Sequence, residues 1–216
     1  MPDSKHYFPT RRDAAIRLKE MLPLDQVKSE AWHFVAVSKG GLSLAAMMNE
    51  RLKRKVDFLF SEPIHAPQNR NCEVARVSEI EEIVMHENLV KAFDIQVDFI
   101  YGEANRKHEE KILSSIYKYR KGRHFESLED QVVLLIDEGA ETGMKLMTAI
   151  KTIMNMSPKA VHIAVPILPS DVLDDLEPLV DRIFYIHEIE DFIETSCYYG
   201  ELPEIDDKTI ASILGE

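Results

Sequence analysis

Residues 132–145 read VVLLIDEGAETGMK and join a continuous apolar run to a polar loop that contains glycine. A run without polar alternation is typical of a parallel strand that is covered on both faces. The acidic pair Asp137 and Glu138 follows the run directly, and an amphipathic stretch follows Gly143. This stretch predicts a strand, loop and helix of an α/β protein, with the loop at the sheet edge where such proteins bind ligands.

The loop carries residue types that suit a ribose and a phosphate. Two adjacent carboxylates can accept hydrogen bonds from vicinal hydroxyls, or hold a divalent cation through water. Backbone N–H groups of Thr142, Gly143, Met144 and Lys145 can bind one phosphate at the start of the helix. A Walker A sequence is absent. An acidic helix cap with a glycine turn is the structural alternative, and we favour the binding interpretation.

A second loop has a similar arrangement. Residues 35–48 read VAVSKGGLSLAAMM, an apolar stretch followed by a glycine turn and a predicted helix. Lys39 supplies a positive charge directly before Gly40 and Gly41. A Lys-Gly-Gly turn alone indicates little, but this one follows a predicted strand and so lies at a strand end where open α/β sheets bind ligands.

Apolar strand-like stretches and helix-like stretches alternate along much of the chain. The predicted strands are 33–37, 56–60, 132–136, 160–166 and 182–186, and the predicted helices include 11–22, 42–55, 103–121 and 206–214. This alternation predicts an α/β fold with a doubly wound, mainly parallel sheet. Residues 61–78 contain two prolines and are predicted to form a polar loop, which at that length is usually functional or disordered.

Composition limits the classes of function. The chain has 26 basic and 38 acidic residues, a net charge of −12, which repels nucleic acid and requires any phosphate site to be local. No apolar run approaches the roughly 20 residues that cross a bilayer, and the N-terminus lacks the apolar core of a signal peptide. Two cysteines make neither a disulfide framework nor a metal cluster, which favours a reducing cytoplasm. From the charge and the apolar pattern, we expect no nucleic-acid or membrane partner.

The two loops resemble those of type I phosphoribosyltransferases. In that family the apolar strand, the acid pair and the Thr-Gly turn bind 5-phosphoribosyl-1-pyrophosphate (PRPP), and a Lys- or Arg-Gly-Gly loop binds its pyrophosphate. Residues 8–22 (FPTRRDAAIRLKEML), 66–75 (APQNRNCEVA) and 117–123 (YKYRKGR) are similar to segments of a bacterial group of such proteins.

The resemblance implies the fold and the domain organisation of that family. We expect one phosphoribosyltransferase-like domain over residues 1–216, with a small hood from residues 1–25 and 180–216. It also implies a homodimer, which is the usual assembly in the family.

The resemblance assigns roles by position. Asp137 and Glu138 would hold the ribose hydroxyls and would contact a Mg²⁺ cofactor indirectly. Lys39, at the leaving pyrophosphate, and Glu141, as a proton acceptor, would be catalytic. The residues expected to bind PRPP are Ser38, Lys39, Gly40, Gly41, Asp137, Glu138, Gly139, Ala140, Glu141, Thr142, Gly143, Met144 and Lys145.

Several residues depart from the family pattern. Lys145 stands where the family usually has a Thr that binds the 5-phosphate, and it could offer charge to that phosphate or point outward. Glu141 stands where hypoxanthine-guanine-type enzymes carry an Asp that acts on the purine, although a solvent-facing loop Glu is the alternative. Pro63 lies near a position where the bacterial group often has a Lys, and Arg76 replaces a small residue.

These observations leave three functions open. The first is a phosphoribosyltransferase that transfers 5-phosphoribosyl from PRPP to a nitrogenous base and releases pyrophosphate. The second is a non-catalytic regulatory protein that binds PRPP or another ribose phosphate on the same fold. The third is a phosphoribosyl hydrolase or another ribose-phosphate enzyme. The sequence does not identify the acceptor base.

Overall fold

The computed structural model describes residues 7–215. The strands are β1 Phe8–Thr10, β2 His33–Ala36, β3 Val56–Phe58, β4 Ser61–Ala66, β5 Asn69–Ser78, β6 Ile83–Met85, β7 Val132–Ile136, β8 Ala160–Pro169, β9 Arg182–Ile189 and β10 Tyr199–Glu201. The α-helices are α1 Arg11–Glu20, α2 Leu24–Ser29, α3 Lys39–Asn49, α4 Glu87–Ala92, α5 Val97–Lys107, α6 Leu113–Arg120, α7 Met144–Met154, α8 Ser170–Leu176 and α9 Asp207–Leu214.

The central sheet is parallel and has five strands in the order β3-β2-β7-β8-β9. Counted along the chain, these strands lie in the order 2-1-3-4-5, which is a doubly wound arrangement. The strand order reverses between β2 and β7, and ligands of such sheets bind beyond the carboxyl ends of the strands at that point. The predicted doubly wound, mainly parallel fold is confirmed.

Helices cover both faces of this sheet. Phe34 and Leu134 pack on one face against α1 and α3, while Val35, Val133 and Leu135 pack on the other face against α7 and α8. Every residue of β2 and β7 is buried. This two-sided burial explains why the 132–136 stretch is apolar throughout, as the sequence predicted.

The prediction of a polar loop over 61–78 is wrong. β4 and β5 form an antiparallel hairpin, and β6 adds a third strand to it. Pro63 is tolerated because β4 is an edge strand that pairs only with β5. The exposed residues lie at the hairpin tip, residues 67–71, whereas residues 74–78 at the base of β5 are buried although they include Arg76 and Ser78.

Two predicted helices have different bounds. The helix expected over 42–55 begins at Lys39 and ends at Asn49, whose side chain then bonds to the backbone of Arg54. The charged helix expected over 103–121 begins at Val97 and continues through a π-helical turn into α6. None of the described helices combines the length and apolarity needed to cross a bilayer.

A strand near each end of the described chain takes part in a separate two-stranded sheet. β1 pairs in parallel with β10, so residues 8–10 lie against residues 199–201. Residues 1–6 and 216 of the expected hood lie outside the described residues, and the assignment of a hood to 1–25 and 180–216 stays a prediction.

Candidate functional site

Adjacent strands bring the two predicted loops together. Ala36 of β2 lies opposite Ile136 of β7 in a parallel ladder, so the chain leaves both strands at the same sheet edge. Ser38 joins the two loops there. Its Oγ accepts a hydrogen bond from the Gly41 N–H at 2.9 Å, and its hydroxyl donates a short hydrogen bond to Asp137 Oδ1. The loops therefore form one hydrogen-bonded unit.

Glycine is required where the loops touch. A Cβ on Gly41 would lie 2.5 Å from the carbonyl oxygen of Ile136, and a Cβ on Gly40 would lie 1.9 Å from Glu138 Cδ. Gly143 has φ +69°, a left-handed backbone conformation that residues other than glycine rarely adopt. The glycines of both predicted motifs thus permit close backbone approach or an unusual turn.

Asp137 is buried, and one of its two carboxylate oxygens, Oδ2, has no hydrogen-bond partner among the described residues. It is 1% exposed, and its Oδ1 accepts from Ser38 Oγ and from the Glu138 N–H at 2.8 Å. Its Oδ2 lies 3.3 Å from Lys145 Nζ, and the Asp137 charge raises the pKa of Lys145. Lys145 therefore turns toward the acid pair, which is an arrangement that neither sequence alternative described.

Glu138 is held by a different cation. Arg11 Nε lies 2.8 Å from Glu138 Oε2, and Arg11 Nη2 donates to the Pro203 carbonyl at 3.0 Å. The Tyr199 hydroxyl donates to the Glu138 carbonyl at 2.7 Å. Burial raises the pKa of the Glu138 carboxyl above its ordinary value, although Arg11 opposes this shift. The two acids thus face different partners.

The loop that follows β7 ends at the N-terminus of α7, whose first N–H groups have no side-chain cap among residues 7–215. The first N–H groups of a helix have no partner within the helix either. Thr142 is exposed there, while Ala140, Gly143 and Met144 are buried. Glu141 Oε1 accepts a hydrogen bond from the Thr195 N–H at 3.0 Å.

Two cavities adjoin at Lys145. The first cavity, about 340 Å³, lies over the 140–143 loop and is bordered by Asp137 and by the hairpin residue Cys72. The second cavity, about 300 Å³, is bordered by Ser38, Lys39 and Arg76. Lys145 borders both cavities. The sheet edge thus carries two neighbouring polar spaces, one beside each predicted loop.

Glu138 borders a third cavity, of about 360 Å³, and not the first two. This third cavity lies between Glu138, Arg11, Gly40 and residues 202–205, and Lys39 borders it as well as the second cavity. Most of the predicted site residues therefore converge on the first two cavities or between them, but Glu138 does not border either one.

Residues that the sequence did not assign contribute to this region. Arg11 and Tyr199 hold Glu138, and Arg76 borders the second cavity while bonding to Glu73. Asp207 lies 3.8 Å from Lys39. Two sequence features could have pointed to these residues: Arg11 lies in the segment 8–22 that is similar to the bacterial group, and Arg76 departs from its pattern. Neither feature indicates which distant residue is the partner.

The surroundings of Asp137 and Glu138 indicate whether the protein could hold Mg²⁺ directly. Among residues 7–215 no group of three or more His, Cys, Asp or Glu is placed to hold a metal ion. Asp137 Oδ1 accepts from Ser38, whereas Asp137 Oδ2 has no hydrogen-bond partner in the described part of the chain and lies 3.3 Å from Lys145 Nζ; Glu138 is paired with Arg11. These residues do not fit a Mg²⁺ held directly by the protein. The prediction of an indirect contact through a ligand stays a prediction.

Comparison with known proteins gives a distant but nearly full-length likeness. No protein-family profile matches the chain. Proteins from two strains of Mycobacterium tuberculosis, each named putative phosphoribosyl transferase, are 20% identical over 207 residues, 96% of this chain. The chain spans 46% of the length of these curated relatives.

The crystal structure of TT1426 from Thermus thermophilus is similar in fold, with a TM-score of 0.76 and 24% identity over 96% of this chain and 97% of that one. A hypoxanthine phosphoribosyltransferase from Staphylococcus aureus is a looser match, with a TM-score of 0.48 and 15% identity over 84% of this chain and 76% of that one. The chain thus shares the fold of TT1426, and in sequence it is similar to proteins named putative phosphoribosyl transferase.

Proposed function

We propose that the chain binds PRPP and transfers its phosphoribosyl group to a nitrogenous base, with release of pyrophosphate. One observation carries the proposal. Two loops with the residue types of phosphate sites meet at the point where the strand order reverses, and each borders one of two adjoining cavities. A ligand with a phosphate at each end of a ribose matches two such cavities better than a ligand with one phosphate.

In this arrangement the 5-phosphate occupies the first cavity and binds the N–H groups at the open start of α7. The pyrophosphate occupies the second cavity beside Ser38 and Lys39. The ribose lies between them, near Asp137, and Lys145 contacts the ligand from the shared wall of the cavities.

The reaction breaks the bond between ribose C1 and the pyrophosphate oxygen and forms a bond from C1 to a base nitrogen. Positive charge develops on the ribose, and negative charge develops on the leaving pyrophosphate. Lys39 stabilises the leaving group, and the loops supply positioning. Glu141 accepts the proton that the base nitrogen loses, through a carboxylate that also accepts from Thr195.

The proposal extends to cofactor, location and assembly. Mg²⁺ would enter with the pyrophosphate and supply further neutralisation of its charge. The protein would act in the cytoplasm as a homodimer, with residues 1–25 and 180–216 forming a hood over the base.

A second candidate is a binding protein without transferase activity. It is favoured by the internal pairing of the acids, since Lys145 neutralises Asp137 and Arg11 neutralises Glu138. A ribose must compete with these cations for the carboxylates, and the candidate base Glu141 already holds Thr195.

Calorimetric titration of PRPP with Mg²⁺ tests both candidates, followed by a screen of free bases for pyrophosphate release. We expect binding to the wild type and at least about tenfold weaker binding to the Asp137→Asn/Glu138→Gln variant. Glu87→Gln, which alters an exposed ion pair on α4, is the matched control and should bind like the wild type.

The outcomes separate the candidates. Release of pyrophosphate with one base supports the transferase, and binding without turnover on any base supports the second candidate. Absence of PRPP binding at millimolar concentration rules out both, and unchanged affinity in the double variant contradicts the role given to the acid pair.

A further inference from the structure

Three cationic side chains from separate elements border the second cavity. Lys39 lies at the start of α3, Arg76 lies on β5, and Lys145 lies in the first turn of α7. Lys39 and Lys145 belong to the two predicted loops, whereas Arg76 comes from the hairpin and has no role in the family pattern. Converging like charges repel one another unless carboxylates of the protein or a bound anion balance them. Here they converge in a chain whose net charge is −12.

Each of these cations is paired with a carboxylate that does not itself border the second cavity. Arg76 donates from Nε and Nη2 to Glu73 at 2.7 and 3.2 Å, and Lys145 lies 3.3 Å from Asp137 Oδ2. Lys39 has the weakest contact, 3.8 Å from Asp207, and its side chain is 54% exposed. The guanidinium of Arg76 is thus fixed in place, while Lys39 is free to move toward a ligand.

The surroundings strengthen the attraction of these cations for an anion. Phe58, Phe60 and Tyr119 border the same cavity, and all three are nearly buried. These rings form the protein side of the cavity, where a charge contact is stronger than one that water surrounds on all sides. Ser61 adds a neutral hydroxyl, and Glu62 contributes the one carboxylate among the described residues that border this cavity.

We propose that the second cavity binds a diphosphate group directly through Lys39, Arg76 and Lys145 and does not require a divalent cation, so that Mg²⁺ entering with PRPP only adds to the neutralisation. The assignment rests on the proposed function for the identity of the group. Sites that bind diphosphates commonly rely on Mg²⁺ to neutralise the phosphates. Here side chains supply that charge, and among the described residues no group of three or more His, Cys, Asp or Glu is placed to hold a metal ion.

Lys145 distinguishes this site from the family pattern. The family usually has Thr at this position, whereas Lys145 reaches the wall between the two cavities. An ammonium there contacts a diphosphate in the second cavity and retains its pairing with Asp137 on the other side. The substitution therefore supplies a positive charge to the diphosphate.

Calorimetric titration of the full chain with inorganic diphosphate tests the proposal, once in EDTA and once with excess Mg²⁺. We expect binding in EDTA with an affinity within about threefold of that measured with Mg²⁺. Lys145→Thr should weaken binding in EDTA at least about tenfold, and Lys145→Arg should restore most of it. Lys151→Thr removes an exposed lysine from the same helix and should have no effect.

Thermal melts establish that each variant is folded. If Lys145→Thr does not fold, Lys39→Thr replaces it, since the Lys39 side chain is half exposed and loses only a weak ion pair. A loss of diphosphate affinity in EDTA is expected there too, and an unchanged affinity contradicts the proposal.

Two results overturn the inference: diphosphate binding that requires Mg²⁺ in the wild type, or affinity in EDTA that Lys145→Thr leaves unchanged. Either result, with Mg²⁺-dependent PRPP binding intact, leaves the proposed function standing. Binding of diphosphate in EDTA without any binding of PRPP would instead support the three-cation site and contradict the proposed function.

Discussion

The loops that follow β2 and β7 lie side by side but carry their charges differently. In the first loop Lys39 is half exposed, and its ion pair with Asp207 is long, at 3.8 Å. In the second loop the carboxylates of Asp137 and Glu138 are largely buried, and each has an internal cation, Lys145 or Arg11.

The difference follows from the cost of burying charge. A carboxylate taken out of water needs a partner, whereas an exposed ammonium can remain hydrated until a ligand arrives. We infer that the second loop is a preformed, internally balanced element, and that the first loop supplies a movable charge. If this is right, substitutions around the second loop should affect stability most.

The largest effect on stability is expected at Arg11. Arg11→Met removes the counter-charge of Glu138, and the pair is largely buried, with side-chain exposures of 6% and 21%. We expect the free energy of unfolding, measured in urea, to fall by about 3 kcal/mol. The neighbouring Arg12→Met breaks an exposed pair with Glu50 and should cost less than about 0.5 kcal/mol. Equal effects of the two variants would contradict the account.

The contact between the loops should be nearly as sensitive. Gly41→Ala places a methyl 2.5 Å from the Ile136 carbonyl oxygen, which is backbone and cannot move aside easily. We expect a loss of about 2 kcal/mol in urea denaturation. Gly102→Ala on α5 meets no atom within 4 Å and should be neutral or stabilising, because alanine favours the helix. A neutral Gly41→Ala would show that the loops are not packed as described.

The buried acid also predicts a dependence on pH. Burial raises the pKa of Glu138 above its ordinary value of 4.5, so the folded state holds this proton more tightly than the unfolded chain does. Its contribution to the free energy of unfolding therefore decreases as the pH rises from about 4.5 through the raised pKa.

Wild type should accordingly lose stability relative to Glu138→Gln across that window, by up to about 1.4 kcal/mol per pH unit. Urea denaturation of both proteins between pH 4.5 and 7 measures the difference. A difference that is constant, or that grows in favour of wild type with pH, would show that the Arg11 pair outweighs burial.

The smallest effect on stability is expected at Lys39. Lys39→Met removes an exposed charge and a long ion pair, so the free energy of unfolding should change by less than about 0.5 kcal/mol. PRPP affinity should nevertheless fall by about tenfold, because Lys39 borders the pyrophosphate cavity. A destabilised Lys39→Met protein would erase the contrast between the two loops.

Sequence predicted the local features of both loops and not their partners. The apolar run 132–136 indicated a strand buried on both faces, and the Lys-Gly-Gly turn indicated a helix start, because these signals are local. The pair of Arg11 with Glu138 joins residues 127 positions apart, which no periodicity encodes. The hairpin formed by β4 and β5 was missed because polar residues occur along its whole length, at the exposed tip and also at the buried Arg76 and Ser78.

A crystal structure of the protein with bound PRPP tests the central claim most directly. We predict the 5-phosphate at the N–H groups of residues 142–145 in the first cavity, and the pyrophosphate beside Ser38 and Lys39 in the second. PRPP bound away from the edge shared by β2 and β7, or with its two phosphate ends exchanged between the cavities, would contradict the account.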